Sequence, residues 1–269
     1  MSAAAFGTLA GIFRHPVKGF TPEPLEELRL APGEGVPFDR VWAVENGPSG
    51  FDPQAPAFVP KHRFAVLASL PQVAAARTRY DEAEGVLHAS AEGVAPFAGA
   101  LDAPGREAFA GWLGRLLGKA AAGPLKVVAA PKTHRFTDHP RGQVSLVNLA
   151  SVRDLSKRMG VGLDPLRFRA NLYVEGWPAW VENDWTGEIL DLGAARAKVF
   201  KPIVRCAATH VNPKTARRDA DVTRALFDAY GHMYCGVYLT VGVGGRLARG
   251  DRCGKPAATS AENREPEWT

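Results

Sequence analysis

The apolar positions of the first ~95 residues fall into short runs, at 7–14, 25–30, 40–45, 64–68, 73–80 and 86–89, punctuated by Gly and Pro. That rhythm predicts the strands of a β-rich barrel or meander. Pro48, Pro53, Pro56 and Pro60 make 48–60 a long loop. The period then changes to that of a helix, opened by Asp102 and Pro104, with Phe109, Trp112, Leu113, Leu116 and Leu117 on one face and Gly118 as its stop. Small residues at 120–123 mark a boundary between two units.

Beyond it, 125–130 reads as a strand and 131–142 as a basic, His-containing loop. Asn148 can cap a helix whose Val152, Leu155 and Met159 share a face, ended by Gly160. Asp164 and Pro165 turn the chain into an apolar strand at 171–174, and 189–200 supplies further strand pattern. Asp221 starts a last helix bearing Val222, Leu226, Phe227 and Tyr230, stopped by Gly231. Residues 235–243, the turn at Gly244 and Gly245, and 246–252 predict a closing hairpin. The expected architecture is mainly β with several helices, an α+β chain without internal repeats. An N-terminal barrel-like domain occupies 1–100, a linking helix 101–123, a second β-barrel domain 124–255 and a loose polar tail 256–269.

Composition narrows the class. The 269 residues suffice to bury a core, and 46% hydrophobic with 23% charged residues is ordinary globular usage. No apolar run approaches the ~18 residues of a membrane span, and the start lacks a basic segment before its apolar stretch. A cytoplasmic protein without a membrane partner is expected. Cys206, Cys235 and Cys253 are odd in number and widely spaced, which suits reduced thiols and gives neither a disulfide framework nor a paired-cysteine zinc motif. A net charge of +5 and a pI near 9.2 point to an anionic ligand or partner. Nucleic acid is disfavoured, because Lys and Arg are scattered and neither a DNA-reading helix motif nor an aromatic RNA-binding signature is present.

The common catalytic motifs are missing. Residues 242–250 are rich in Gly but lack the dinucleotide-loop spacing and the length of chain such a loop needs after it. Residues 114–119 have too few residues between their glycines, and no Ser or Thr after Lys119, for a phosphate loop. Asp219 and Asp221 read as turn and cap residues rather than as an acid and base pair. His134, His139, His210 and His232 could deliver protons, but surface and capping histidines are commoner. Trp177, Trp180 and Trp185 read as loop packing.

What remains is Cys206, in the run Lys201-Pro-Ile-Val-Arg-Cys-Ala-Ala-Thr-His, where an apolar strand opens into a polar turn. The neighbouring arginine and the strand end would favour the thiolate and leave the sulfur reachable. Three other segments place cationic or amide groups at strand ends or turns: His15 to Gly19, Phe38 to Arg40, and Arg167 to Asn171. Arg offers a planar fork for phosphate, Lys a mobile charge, and Asn both donor and acceptor for a ring amide. Converged, they would hold an anion with a polar heterocycle.

In order, PVKG, FDR, LVNLASVRDL, RFRANLYVEG, W-x-x-W with a later W-x-G, RC-x-x-T-x-VNP-x-T and a terminal CGVYLTV followed by GG and GD resemble the MOSC family, over about residues 9–252. Similar patterns occur in its molybdenum amidoxime-reducing proteins and their bacterial counterparts. The resemblance implies a MOSC N-terminal β-barrel domain joined to a MOSC β-barrel domain, with a molybdenum cofactor (Mo-molybdopterin) between them. It further implies Cys206 as the protein ligand to the metal. Lys18 and Arg40 match cofactor contacts from the first domain. Ser151, Arg169 and Asn171 match from the second, and Arg205, Thr209 and Tyr238 match more loosely. Two positions depart from the pattern: Gly19 stands where relatives commonly carry a hydroxyl residue, and Asn148 where they often carry Ser.

The implied activity is reduction of N-hydroxylated or N-oxygenated compounds by oxygen-atom transfer to molybdenum. Electrons would come from a ferredoxin, flavoprotein or cytochrome, because the chain has no cysteine-rich cluster segment or flavin pattern of its own. The alternative is a carrier of sulfur, as a persulfide, or of the cofactor itself, and pyridoxal phosphate binding also stays open.

Overall fold

The computed structural model describes residues 6–140 and 144–256. The chain opens with β1 (Phe6–Arg14), β2 (Glu23–Leu25), β3 (Glu27–Leu30) and β4 (Trp42–Asn46). After the proline-rich loop, β5 (Arg77–Asp81), β6 (Val86–Ala91) and β7 (Val94–Ala100) form an antiparallel meander. Helix α1 (Ala103–Leu117) follows, its first turn fixed by the Asp102 carboxylate accepting from the Gly105 amide at 2.9 Å. Its buried face, Phe109, Trp112, Leu113 and Leu117, packs on Val17, Phe20, Val44 and Leu87 in one core. Strand β8 (Leu125–Ala129) then returns to pair with β4.

The second half holds β9 (Val144–Asn148), α2 (Leu149–Met159) and β10 (Leu172–Glu175), a unit in which the helix carries the chain between parallel strands. It continues through β11 (Ile189–Leu192), β12 (Ala195–Val204), α3 (Val222–Tyr230), β13 (Tyr234–Val243), β14 (Gly245–Ala248) and β15 (Arg252–Gly254). Strands β10, β9, β13, β12, β11, β15 and β1 pair in that order, and β1 pairs with β10 to close a seven-strand barrel. Closure satisfies the strand edges and buries Leu9, Ile12, Leu146, Leu172, Leu190 and Val237 together. The fold is mainly β with three helices among the described residues, as expected.

Several local expectations change. The closing hairpin does not form: β13 pairs with β12 and β9, while β14 pairs with β3. Gly245 is needed for a close crossing, since a Cβ there would sit 2.4 Å from the Ala194 carbonyl oxygen. Residues 64–68 form no strand beyond a single bridge of Phe64 to Glu45. Phe227 lies off the buried face of α3 and is 57% exposed. Strand β1, expected in the first domain, is laid into the barrel of the second, and β8, expected in the second, pairs with β4 of the first. The two lobes therefore exchange strands. The expected tail from 257 onward and residues 141–142 of the basic loop lie outside the described residues. No helix among the described residues is long and apolar enough to cross a membrane.

Candidate functional site

One cavity of about 200 Å³ opens where the end of β12 and the starts of β9 and β10 meet the loops of the first lobe. Its lining includes Lys18, Arg40, Arg169, Asn171, Arg205, Cys206, Thr209 and Tyr238. Four distant segments of sequence thus converge. Seven Lys or Arg side chains line it against one carboxylate, Asp138.

Cys206 follows β12 in extended backbone and caps a single 3-10 turn, Ala207–His210. Thr209 holds that turn shut, its hydroxyl and its amide both donating to the Cys206 carbonyl, at 2.9 and 3.0 Å. The thiol is half-buried. Its cation is not the neighbouring Arg205, whose guanidinium is committed to the Cys235 and Phe168 carbonyls. Lys61 takes that place, donating from Nζ to Sγ at 3.1 Å across a separation of 145 residues. Burial alone would lower the Lys61 ammonium, but Asp138 and the Cys206 sulfur hold it above the ordinary lysine range.

Lys18 is 3% exposed and donates to the Phe136 carbonyl at 2.9 Å and to Asp138 at 2.5 Å. Burial lowers its ammonium despite Asp138. Burial would raise Asp138 in turn, but Lys18 and Lys61 hold it below the usual carboxylate range. Gly19 explains its own departure from the expected hydroxyl: its φ is +89°, and a Cβ would meet the Ala65 carbonyl oxygen at 2.7 Å.

Arg40 and Arg169 share an uncommon backbone, with φ of 52° and 53°. The left-handed conformation costs each roughly 1–2 kcal/mol, offset here by the packing that fixes both. The Arg40 amide donates to the His15 carbonyl at 2.7 Å, and its side chain donates to Asp39 and, at 3.0 Å, to the Arg169 carbonyl. Arg169 reaches the Phe20 carbonyl at 2.5 Å, but its second terminal nitrogen is buried without a partner. Burial and the nearby Arg40 hold the Arg169 guanidinium down to about 10. Behind them His15, fully buried, is pushed to about 3 by burial and by Arg40 and Arg169. Tyr238 on β13 is raised by burial and by Asp138, so its hydroxyl keeps its proton.

Asn171 has a different task. Its carbonyl oxygen accepts from the Ser145 amide and hydroxyl, at 3.1 and 2.8 Å, and its amide reaches the Phe13 carbonyl at 3.2 Å. It ties together β1, β9 and β10 under the cavity floor. Arg167, 4% exposed, lines the cavity while bonded to Asp219 at 2.6 Å and the His210 carbonyl at 3.1 Å. Asp221 caps α3 as the sequence predicts.

Asn148 and Ser151 are not in this cavity. The Asn148 side chain caps α2 and donates to Glu182 at 2.9 Å, and the Ser151 hydroxyl donates to the same carboxylate at 2.8 Å. Glu182 is fully buried, and its own burial raises it above the usual range despite those bonds. Their role here is to hold that carboxylate between α2 and the Trp180 turn. Conversely, Lys61, Asp138, His139 and Lys201 line the cavity without having been singled out as site residues. Lys61 opens a single 3-10 turn, Lys61–Arg63, and Asp138 lies in a loop, and in neither does a period mark a functional position.

A model of the MOSC N-terminal beta barrel domain matches residues 6–119, and a model of the MOSC domain matches 133–253. Among curated proteins, molybdenum cofactor sulfurase of Drosophila willistoni is 30% identical over 109 residues, 40% of this chain and 14% of that protein. The Caenorhabditis elegans protein of that name is 29% identical over 119 residues, 44% of this chain and 16% of its own. The chain thus spans only a small part of these relatives. Among solved structures, the YUAD protein from Bacillus subtilis aligns over 94% of this chain and 97% of its own, at 13% identity and a TM-score of 0.45. YiiM from Geobacillus stearothermophilus aligns over 43% and 55%, at 19% identity and a TM-score of 0.33. With one domain model matched on each side of the cavity, and the cysteine and arginine motifs gathered between them, the chain belongs to the MOSC family.

Proposed function

We propose that this chain binds a molybdenum cofactor in the cavity between its lobes and reduces N-hydroxylated or other N-oxygenated compounds. The observation that carries this reading is a reachable sulfur, Cys206, opening into a cavity with seven cationic side chains and one carboxylate. The residues fit such a group on independent grounds. Arg167 and Arg169 each keep a buried nitrogen without a partner, at about 1–3 kcal/mol per unmet donor, and anionic oxygens would satisfy them. Lys18 and Arg169 are held below their ordinary ranges by burial, a cost that a bound anion offsets. Among the described residues no three His, Cys, Asp or Glu side chains gather as a metal cage. A metal arriving within a sulfur-bearing cofactor would meet one protein ligand, the soft thiolate of Cys206.

When bound, the cofactor supplies oxygen-atom transfer at molybdenum and a two-electron store. The chain supplies the rest. Lys18, Arg40 and Arg169 would grip the phosphate, Thr209 and Arg205 fix the turn that presents the sulfur, and Asn171 sets the floor. Lys61 and Tyr238 offer N–H and O–H donors at the reacting end. Electrons would come from an acidic ferredoxin, flavoprotein or cytochrome docking on the basic surface. Turnover with such a donor should fall as salt rises; a rate indifferent to ionic strength would remove the docking idea.

A second reading is favoured by the name of the curated relatives and by the accessible thiol: carriage of sulfur or of the cofactor, without reduction. A panel of N-oxygenated compounds with an artificial reductant separates the two. Reductase activity lost in Cys206→Ser supports the first. Inactive protein bearing labile sulfur on Cys206 supports the second.

A further inference from the structure

Lys61 and Cys206 come from different lobes, yet Nζ lies 3.1 Å from Sγ. Both are reachable by a small molecule, since the Lys61 side chain is 37% exposed and Cys206 is half-buried at an open cavity. The other cysteines, Cys235 and Cys253, are fully buried. A separation of about 3–3.5 Å is that of atoms poised to react.

We propose that Lys61 and Cys206 are an oxidation-dependent covalent pair, which peroxide closes into a sulfur–nitrogen bridge whenever the sulfur carries no metal. In the first step Sγ attacks one peroxide oxygen. The O–O bond breaks, Cys206 is oxidised to its sulfenic acid, and the peroxide is reduced, its second oxygen leaving as water. In the second step Lys61 Nζ attacks Sγ; the S–N bond forms, the S–O bond breaks and a second water leaves. The ammonium first gives one proton to solvent past Asp138, whose Oδ2 is 3.6 Å from Nζ and whose side chain is 46% exposed, so that the free amine attacks, and its second proton leaves with the sulfenic hydroxyl as that water. One peroxide is consumed and two waters are produced. A thiol reductant reopens the bridge, so the empty site is capped against irreversible oxidation and returned intact for loading.

The bridge needs no molybdenum, so its test reads separately from that of the cofactor. The full chain, prepared free of molybdenum, is treated with hydrogen peroxide and followed by intact mass and peptide mapping. The chain is expected to lose about 2 Da, with a linked peptide joining Lys61 to Cys206, and dithiothreitol should reverse both. Lys61→Met should instead take up oxygen at Cys206 irreversibly and several-fold faster than the wild type, and Cys206→Ser should show neither product. Lys61 sits in an exposed surface turn, and Lys61→Gln provides the same comparison should the Met variant melt early. Conversion of the wild type to sulfinic acid at the Lys61→Met rate, with no linked peptide, overturns the proposal.

Discussion

At the scale of single residues, the chemistry was legible where a motif sat beside a strand end and illegible where contact depended on tertiary approach. Cys206 stands out in the sequence because an apolar strand opens at it into a polar turn, and Lys18 and Arg169 because they sit in short cationic segments at strand ends or turns. Lys61 does not, because its meaning comes from a sulfur 145 positions away. Asn148 and Ser151 show the converse, motif positions whose side chains are committed to Glu182. Arg169→Ala should weaken cofactor retention by roughly 10- to 100-fold, the value of one charged hydrogen bond, read as molybdenum kept through dialysis. His15 gives a pH prediction. The folded chain keeps its imidazole neutral down to about 3, whereas an unfolded chain protonates it near its ordinary value of 6.5. Its contribution to stability is complete above that ordinary value and is lost as pH falls toward about 3. Urea unfolding of His15→Leu across this range should therefore show a flatter acid limb than the wild type.

At the scale of elements, helices were the easiest to read. Asp102, Asn148 and Asp221 cap α1, α2 and α3 with their side chains, as their positions before apolar periodic runs predict. Strands were harder. β7 is made of Ala, Gly, Pro, Phe and Val, with little strand preference, and β9 is buried on both faces, so its polar alternation vanishes. Glycine placement carries part of the site. Gly236 in β13 has φ of +79°, and a Cβ there would lie 2.3 Å from the Leu146 carbonyl oxygen and 3.2 Å from the Arg205 guanidinium. Gly236→Ala should cost about 1–3 kcal/mol in thermal or denaturant unfolding, and should loosen the Arg205 contacts behind Cys206.

At the scale of the whole molecule, the fold class followed from the rhythm of short apolar runs, but strand ownership did not. Pairing partners are set by three-dimensional closure, and local sequence is silent about which distant strand completes a barrel. Because β1 closes the ring between β15 and β10, the barrel is not self-sufficient. A fragment of residues 124–255 should leave both edges open and aggregate or unfold. The full chain should give dispersed amide signals and a cooperative melt. A well-folded fragment would show that β1 is dispensable. The shared strand also has a functional consequence, since the segment leaving β1 carries Lys18 to the cavity and couples the cationic wall to the barrel that presents Cys206.

The most direct measurement is metal and pterin analysis of the full chain, wild type and Cys206→Ser, purified from cells that make the cofactor. The account predicts about one molybdenum per wild-type chain with pterin in equal amount, and loss of most of the metal from the serine variant, which lacks the soft ligand. Wild-type protein free of both, or a serine variant holding molybdenum as tightly as the wild type, would contradict it.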